Sequence, residues 1–364
     1  MAGGNQVRGG TAVQRAGDWT ATTAGRDRGS RNMRAVLMMA AGGPDVLKLA
    51  EVPEPEITGE HDVKVRLHAA GINPVDYKLR SGGIIRGTLP AVLGWDGAGV
   101  VQDIGTAVTR FRPGDAVYFC DGGFGPAPGT YQEVKVVAER YLARKPDRLS
   151  FVDAAAAPLV TITAWEAQRE RARVTEGQLV LVQAGAGGVG HMSVQIARLA
   201  GARVATTVTP GVKTDLARSL GAELCIDYRR EDVGARLREW TGMDGADVVH
   251  DTVGGKTFTA CFSLTRPYGD LVSNVESRWE DEAVTAMQQR NLRVSFTWMP
   301  APSVLGWPEQ RERQRRILDQ AATHFDAGEL RVVVGATFPL ADAADAHRAL
   351  EAGQVTGKAV LTMS

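Results

Sequence analysis

LVLVQAGAGGVG, residues 179–190, joins a short apolar run to a cluster of glycines. The run is rich in β-branched residues and has the length of a buried strand. Beyond the glycines, apolar residues recur at helical spacing until Gly201. Strand, glycine turn and helix are the context in which a G-x-G-x-x-G pattern predicts dinucleotide binding. A second predicted strand, residues 202–208, follows at the right distance and favours this interpretation over a glycine turn that binds nothing.

Each glycine of the turn has a separate physical reason. Gly185 permits the tight turn, Gly187 leaves room for a pyrophosphate, and Gly190 lets the helix approach the strand. The free N–H groups of the first helical turn, around Gly188 and Val189, are expected to face the diphosphate. These five residues are the predicted diphosphate site.

The end of the second strand indicates which dinucleotide is bound. An NAD site usually places an acidic residue there to hold the ribose 2′-hydroxyl. This chain has no carboxylate between Gly201 and Asp215, and Val208 stands at the expected position. Thr207 and Lys213 instead suit a 2′-phosphate, which a carboxylate would repel. We predict NADPH; the alternative is an ordinary strand threonine and a solvated lysine.

Composition excludes several classes of function. The chain has 364 residues, and 42 Lys and Arg balance 42 Asp and Glu, which predicts neither a nucleic-acid partner nor a membrane surface. No apolar run approaches the ~20 residues of a membrane span. Cys120, Cys225 and Cys261 form no CxxC pair and favour a reducing, cytoplasmic location. The six histidines are scattered, so no metal site is predicted.

The pattern of elements changes along the chain. Residues 1–32 are rich in Gly, Arg and Thr and are predicted to be a disordered N-terminal extension. Residues 33–155 read as short strands of a small barrel-like β domain. Residues 156–298 alternate strands and helices, which predicts an α/β fold with a doubly wound parallel sheet. Residues 299–364 are predicted to return to the first domain, leaving a cleft between the two.

Four local features complete this prediction. Residues 92–104 are expected to be strand-like with bends at glycines, and residues 153–171 to be Ala-rich and helical. Two Gly/Pro-rich segments, residues 121–130 and 300–308, are expected to shape the pocket.

Four stretches carry a family resemblance: AAGINPVDYKLRSG (residues 69–82), LPAVLGWDGAGVV (89–101), VLVQAGAGGVGHMSVQIARLAGARV (180–204) and ADVVHDTVGG (246–255). In this order they resemble the medium-chain dehydrogenase/reductase superfamily, and most of all its zinc-independent quinone oxidoreductases and enone reductases. The resemblance covers residues 33–364. It implies a GroES-like β-rich catalytic domain, a Rossmann domain that binds NADPH, and a homodimer.

The resemblance also bears on zinc. Zinc-dependent members place a Cys where this chain has Asn73, and a His-Glu pair where it has Trp95 and Asp96. Their third ligand is a Cys in a region that here reads PLVTITAW, without sulfur or imidazole. We therefore expect hydride transfer without a catalytic metal.

Reduction of a quinone or an α,β-unsaturated carbonyl requires a hydride at carbon and a hydrogen bond or proton at oxygen. Asn73 is predicted to bind the cofactor or the acceptor oxygen, and the alternative is a turn-forming role before Pro74. Tyr77 is a candidate proton donor, with packing as the alternative. Trp95 is expected either to wall the pocket or to lie in the core.

The resemblance implies further cofactor contacts, each of which is otherwise an ordinary strand-end or loop residue. They are Thr163, Tyr228, Thr252, Val253, Asn274, Phe296, Trp298 and Lys358.

Two alternative functions stay open. An enoyl thioester reductase of the same superfamily would carry a catalytic Tyr shortly after the Asn-Pro pair, where this chain has Ile84. A weakly catalytic NADPH-binding protein is the other alternative, although no basic stripe supports RNA contact. The primary prediction is a small-molecule quinone or enone reductase whose acceptor the sequence does not define.

Overall fold

The computed structural model describes residues 31–82, 88–123, 127–275 and 278–363. The strands of this part of the chain are β1 (Asn32–Met38), β2 (Leu47–Pro53), β3 (Asp62–Ile72), β4 (Ala91–Val92), β5 (Asp96–Ile104), β6 (Ala116–Cys120), β7 (Val134–Ala138), β8 (Ala143–Arg144), β9 (Leu179–Val182), β10 (Arg203–Val208), β11 (Leu224–Asp227), β12 (Ala246–Asp251), β13 (Thr265–Ser273), β14 (Arg293–Phe296), β15 (Val334–Pro339) and β16 (Lys358–Thr362). 

The helices of the same residues are α1 (Pro74–Gly82), α2 (Phe151–Ala156), α3 (Pro158–Trp165), α4 (Gly188–Leu199), α5 (Val212–Ser219), α6 (Val233–Thr241), α7 (Lys256–Leu264), α8 (Asp281–Gln289), α9 (Ala301–Val304), α10 (Pro308–Asp326) and α11 (Ala343–Glu351). None of these helices is long and apolar enough to cross a membrane.

A six-stranded parallel sheet contains the glycine turn. Its order is β11-β10-β9-β12-β13-β14, so the first strand lies in the middle and the chain winds outward in both directions. Val180 and Val182 of β9 pack into one apolar cluster with residues of α4, whereas Leu181 packs into another with residues of α7. Helices therefore cover both faces, and the predicted doubly wound α/β sheet is confirmed.

A second, mainly antiparallel sheet has the order β15-β16-β3-β5-β6-β8, with β7 also pairing β3. A smaller sheet, β2-β1-β4, packs beside it. The strand β16 lies near the end of the chain, yet it pairs antiparallel with β3, almost 300 residues earlier. The last strand thus contributes to the sheet that the N-terminal half builds; the domain boundaries proposed from sequence stay predictions.

The strand-like stretch predicted over residues 92–104 is divided into two strands at one of its glycines. β4 ends at Val92 and β5 begins at Asp96. Between them Gly94 has a φ of +102°, and a Cβ there would come within 2.5 Å of the Tyr131 ring. The chain breaks here because this backbone passes directly beneath an aromatic side chain and turns in a conformation that favours glycine.

The stretch predicted to be helical over residues 153–171 is helical, but it is divided into three pieces. α2 ends at Ala156, and α3 begins at Pro158, whose nitrogen has no hydrogen to continue the ladder. A π-helical segment, Glu166–Arg171, follows α3. Helical periodicity in the sequence did not distinguish these three pieces from one helix.

Parts of the sequence prediction concern residues outside the ranges that the structure describes. Residues 1–30 of the predicted extension, Ile84, and residues 124–126 of the predicted pocket loop lie outside the described residues.

Because β16 pairs with β3, we expect a smaller side chain on β16 to lower the stability of the fold. Leu361 is fully buried in the core that β16 shares with β1 and α11. We expect Leu361→Ala to lower the free energy of unfolding by about 2–5 kcal/mol, measured by chemical denaturation. Leu49→Ala, at an exposed strand position, is the control and should change it by about 0.5 kcal/mol or less. Equal effects would show that β16 is not integral to the core.

Candidate functional site

The glycine turn connects β9 to the N-terminus of α4. A Cβ on Gly185 would lie 2.2 Å from Thr206 Oγ1, and one on Gly190 would lie 2.1 Å from the Ala184 carbonyl oxygen. These two glycines are therefore required by close packing of the turn. The space at Gly188 is more open, since a Cβ there would meet nothing closer than 3.7 Å. The first N–H groups of a helix have no intrahelical partner, so this open end fits a diphosphate.

The start of β16 docks against this turn. The Gly357 N–H donates to the Ala186 carbonyl at 3.1 Å. A Cβ on Gly188 would lie 3.7 Å from the Lys358 side chain. The predicted cofactor residues Gly188 and Lys358 are thus neighbours, although 170 positions separate them in the sequence.

Lys358 belongs to a buried polar cluster with Asn73 and Asp96, which we call the Lys358 cluster. The Lys358 ammonium donates to the Asn73 side-chain oxygen and, at 2.9 Å, to the Ile72 carbonyl. Asn73 Nδ2 donates to Asp96 Oδ2 at 2.9 Å, and Asp96 Oδ2 lies 3.6 Å from the ammonium. The Leu159 N–H donates to the other Asp96 oxygen at 2.9 Å. These bonds fix the orientation of the Asn73 amide.

Burial dominates the electrostatics of the cluster. It raises the pKa of Asp96 and lowers the pKa of Lys358, and the attraction between the two groups opposes both shifts. Asn73 and Asp96 are completely buried, and Lys358 is nearly so. In this conformation Asn73 makes no contact with solvent, and its amide is bonded to Lys358 and Asp96 rather than presented to an open pocket.

A second set of polar groups extends from Asn73, and sequence reasoning missed it. The Asn73 N–H donates to Asp76 Oδ2 at 2.8 Å, and the Tyr131 hydroxyl donates to the same oxygen at 3.1 Å. The Tyr131 oxygen also lies 3.1 Å from Nε2 of His347. Burial raises the pKa of Asp76 to about 7 and lowers the pKa of His347 to about 3. The three-residue spacing of Asn73 and Asp76 was visible in the sequence; the contact of Tyr131 with His347 of α11 was not.

Thr207 and Lys213, the two residues predicted to bind a 2′-phosphate, have different surroundings in the structure. Thr207 is buried, and its hydroxyl donates to the Gln183 side-chain oxygen at 2.7 Å and accepts from the Ala184 N–H at 2.9 Å. It therefore supports the glycine turn and has no second proton to donate to a phosphate. Lys213 is half-buried in the first turn of α5, directly after β10.

An acidic residue lies near this position on the neighbouring strand. Asp227 pairs with Val208 in the parallel register of β11 and β10. Its carboxylate accepts from the Arg229 N–H at 3.1 Å and lies 3.8 Å from the Arg230 guanidinium. The Asp227 carboxylate beside the end of β10 is thus already engaged by a backbone N–H and by a guanidinium.

Three more of the predicted cofactor residues are engaged within the protein. Thr163 Oγ1 donates to the Leu159 carbonyl and Thr252 Oγ1 donates to the Gln183 carbonyl, both at 2.7 Å. Asn274 Oδ1 lies 3.0 Å from His250 Nε2. Thr252 and Asn274 directly follow the carboxyl ends of β12 and β13. Thr163 lies in α3, the helix that contacts the Lys358 cluster.

The remaining predicted residues divide into exposed and packed groups. Tyr228, Val253, Phe296 and Trp298 are exposed. Tyr77 is half-buried, and the nearby Glu351 charge adds to burial in raising the pKa of its hydroxyl, which makes it a weaker acid. No hydrogen bond in the described residues links it to the Lys358 cluster. Trp95 is almost fully buried in the apolar core, so the core alternative holds for it.

Metal binding was tested on the same residues. Over residues 31–82, 88–123, 127–275 and 278–363 no group of three or more His, Cys, Asp or Glu could hold a metal ion.

Comparison with known proteins gives the family. The model described as "Alcohol dehydrogenase GroES-like domain" matches residues 59–147, and the one described as "Zinc-binding dehydrogenase" matches residues 220–361. The chain is 33% identical to a quinone oxidoreductase of Pseudomonas aeruginosa, over 90% of this chain and 99% of the relative. It is 33% identical to a chloroplastic NADPH-dependent alkenal/one oxidoreductase of Arabidopsis thaliana, over 91% of this chain and 80% of the relative.

Solved structures agree with this. A crystal structure named for an NAD-dependent alcohol dehydrogenase superposes with a TM-score of 0.83 at 35% identity, and covers 91% of this chain and all of its own. The GroES-like β-rich domain and Rossmann sheet predicted by resemblance are confirmed. The glycine turn and the relatives together indicate a nicotinamide cofactor. The chain belongs to the medium-chain dehydrogenase/reductase superfamily, in its quinone oxidoreductase branch, and is an oxidoreductase.

Proposed function

We propose that the protein is a cytoplasmic, zinc-independent and NADPH-dependent reductase of quinones or α,β-unsaturated carbonyl compounds. The observation that carries this proposal is that Lys358 bonds to Asn73 while the preceding residue, Gly357, bonds to the glycine turn. Cofactor-binding backbone and a fixed cation thus adjoin each other, and no group among the described residues suits a metal ion. The quinone and alkenal/one oxidoreductases to which the chain is similar support the same reaction class.

When bound, the nicotinamide cofactor supplies the hydride, and the protein supplies position and charge. The open N-terminus of α4 holds the diphosphate. The Asn73 amide keeps one Nδ2 hydrogen that Asp96 does not use, and we propose that it is donated to the carboxamide of the cofactor or the acceptor oxygen. Lys358 polarises this amide by donating to its oxygen. Because Asn73 is fully buried here, this contact requires a small local displacement.

An acceptor screen tests the reaction class. We expect NADPH oxidation with members of a panel of quinones and enones, unaffected by a metal chelator. Asn73→Ala should lower kcat/KM by about 10²-fold, as expected for loss of one donor at a developing charge. Asn32→Ala, at an exposed position of β1, should leave the rate unchanged. Turnover of a crotonyl thioester alone would favour an enoyl thioester reductase, and tight NADPH binding without any turnover would favour a weakly catalytic binding protein.

The preference for NADPH rests on Lys213 more than on Thr207. β10 ends without a carboxylate of its own, and the acid on β11 is engaged by Arg229 and Arg230. Lys213 is a half-buried ammonium in the first turn of α5, where N–H groups also favour an anion. One structural neighbour is named for NAD and one relative for NADPH, so the preference is a proposal about these side chains and not about the fold.

Removal of the ammonium tests this. We expect Lys213→Ala to weaken NADPH binding about tenfold, equivalent to roughly 1.4 kcal/mol, and to leave NADH binding nearly unchanged. The measurement is the dissociation constant of each cofactor by calorimetry. Lys48→Ala, at an exposed lysine of β2, is the matched control. A wild-type protein that binds NADH tenfold more tightly than NADPH would contradict the proposal.

We also propose a homodimer. β14 is the terminal strand of the parallel sheet and pairs only β13 among the described strands. Phe296 at its end and Trp279 beside it remain exposed on an aromatic cluster. An unpaired edge with exposed aromatic rings is a typical site for pairing with a second chain.

Light scattering tests the dimer. The measured mass should be twice that of the chain, and Phe296→Glu should shift it toward the monomer by placing a charge on the buried edge. Met39→Glu makes the same change at an exposed apolar residue of the other part of the molecule and should leave the mass unaltered. A wild-type monomer at micromolar concentration would rule the proposal out.

A further inference from the structure

A cavity of about 560 Å³ lies between the π-helical segment Glu166–Arg171 and the chain from Trp298 to Gln314. Its size falls in the range of small-molecule sites. π-Helical turns are rare and occur frequently at functional sites. The segment 300–308, expected from sequence to shape the pocket, forms one side of it. None of the residues predicted from sequence to bind the cofactor lines this cavity except Trp298.

Two tryptophans give the cavity its apolar character. Trp298 is 54% exposed and Trp307 is 48% exposed, and both line the cavity together with Pro302 and Pro308. Large aromatic rings left in water at a concave site provide a flat apolar surface for a ligand ring. This composition favours a flat, aromatic or conjugated ligand.

One polar group is placed to orient such a ligand. Glu166 Oε1 accepts from Gln314 Nε2 at 3.0 Å, and the same nitrogen also donates to the Met299 carbonyl at 2.9 Å. No described hydrogen bond reaches Glu166 Oε2. Burial raises the pKa of Glu166 to about 7, so its carboxyl is largely protonated below neutrality. With Oε1 accepting, the proton resides on Oε2, from which it can be donated to a carbonyl oxygen.

The charged groups around Glu166 shift its pKa in opposite directions and so change it only in part. Glu170 on the same helix raises its pKa further, whereas Arg171 and Arg313 lower it. Arg313 lies 3.1 Å from Glu170, so this pair is largely neutral. Glu309 lines the cavity from α10 and is exposed.

The cavity also lies at the ligand-binding edge of the parallel sheet. Trp298 follows the carboxyl end of β14 by two residues, and ligands of such sheets bind beyond the carboxyl ends of the strands. Glu166 follows Thr163, which the family resemblance assigns to the nicotinamide, by less than one helical turn.

We propose that this cavity binds the carbonyl-bearing aromatic or conjugated acceptor, with its ring against Trp298 and Trp307 and its carbonyl oxygen accepting a hydrogen bond from Glu166 Oε2. This inference rests on the proposed reductase function, whose acceptor it names by chemical class. Trp298, Trp307 and Glu166 are then specificity-determining residues. The protein binds such carbonyl compounds more tightly when the carboxyl is protonated.

Binding without turnover tests the cavity separately from the reaction. We expect calorimetric titration of the full chain with acetophenone, in the presence of NADP⁺, to show a dissociation constant that rises about tenfold per pH unit above pH 7. Glu166→Gln keeps a donor at every pH, so its dissociation constant should be independent of pH. Glu166→Leu should bind weakly throughout, and Glu51→Gln should behave as wild type because it changes an exposed carboxylate of β2 outside the cavity.

The tryptophans are tested by the same titration and by kinetics. Trp298→Ala and Trp307→Ala should each weaken acetophenone binding about tenfold and raise the KM for an active quinone with little change in kcat. Trp240→Phe alters a half-buried tryptophan that packs against Arg203 outside the cavity and should change neither. Acetophenone affinity that is unaffected by both alanine variants, or that keeps its pH dependence in Glu166→Gln, would overturn the proposal. Binding as expected without any reductase activity would overturn the proposed function and leave the site intact.

Discussion

The buried ammonium of Lys358 is the constraint on which the arrangement of the molecule depends. It lies at the first residue of the last strand, and it bonds to Asn73 and the Ile72 carbonyl at the end of β3. It therefore connects the C-terminal end of the chain to the N-terminal half and to the glycine turn. An unpaired charge at this depth would be costly, so the ammonium requires Asp96 and the two oxygens together.

This arrangement explains how a member of the superfamily can carry a positive charge in its site without zinc ligands. The family resemblance implies that Asn73 stands at the position of a zinc-binding cysteine in the zinc-dependent members, and Lys358 donates directly to its side chain. A fixed ammonium in a medium of low polarity acts on a neighbouring amide far more strongly than the same charge in water. Asp76 adds a second hydrogen bond to the Asn73 backbone, so both ends of this residue are fixed.

The glycine turn and the alternation of strands and helices were predictable because they depend on neighbours in the sequence. The apolar run before Gly185 and the helical pattern after it predicted β9 and α4 nearly at their bounds. The break at Pro158 was missed although the missing proline N–H is a local signal. The bends expected at glycines in residues 92–104 did not single out Gly94, since that break depends on the Tyr131 ring packed against the backbone. The role of Thr207 changed for the same reason: its hydroxyl suits a phosphate by type, but Gln183 and Ala184 already occupy it. Contacts such as Tyr131 with His347 join residues more than 200 positions apart, and one sequence contains no signal for them.

Glu166 and Asp96 show how the surroundings of a carboxyl group decide its chemistry within one fold. Asp96 is buried beside an ammonium and is held in a cluster that fixes geometry. Glu166 is half-buried beside an amide, Gln314, which satisfies one oxygen without supplying a charge. Burial outweighs the Gln314 hydrogen bond and the nearby arginines, which favour ionisation, so the pKa of Glu166 is raised to about 7 and its protonated carboxyl serves as a hydrogen-bond donor below neutral pH. The first carboxyl can thus organise the cofactor side of the site, while the second is suited to a neutral carbonyl oxygen, which a carboxylate would repel.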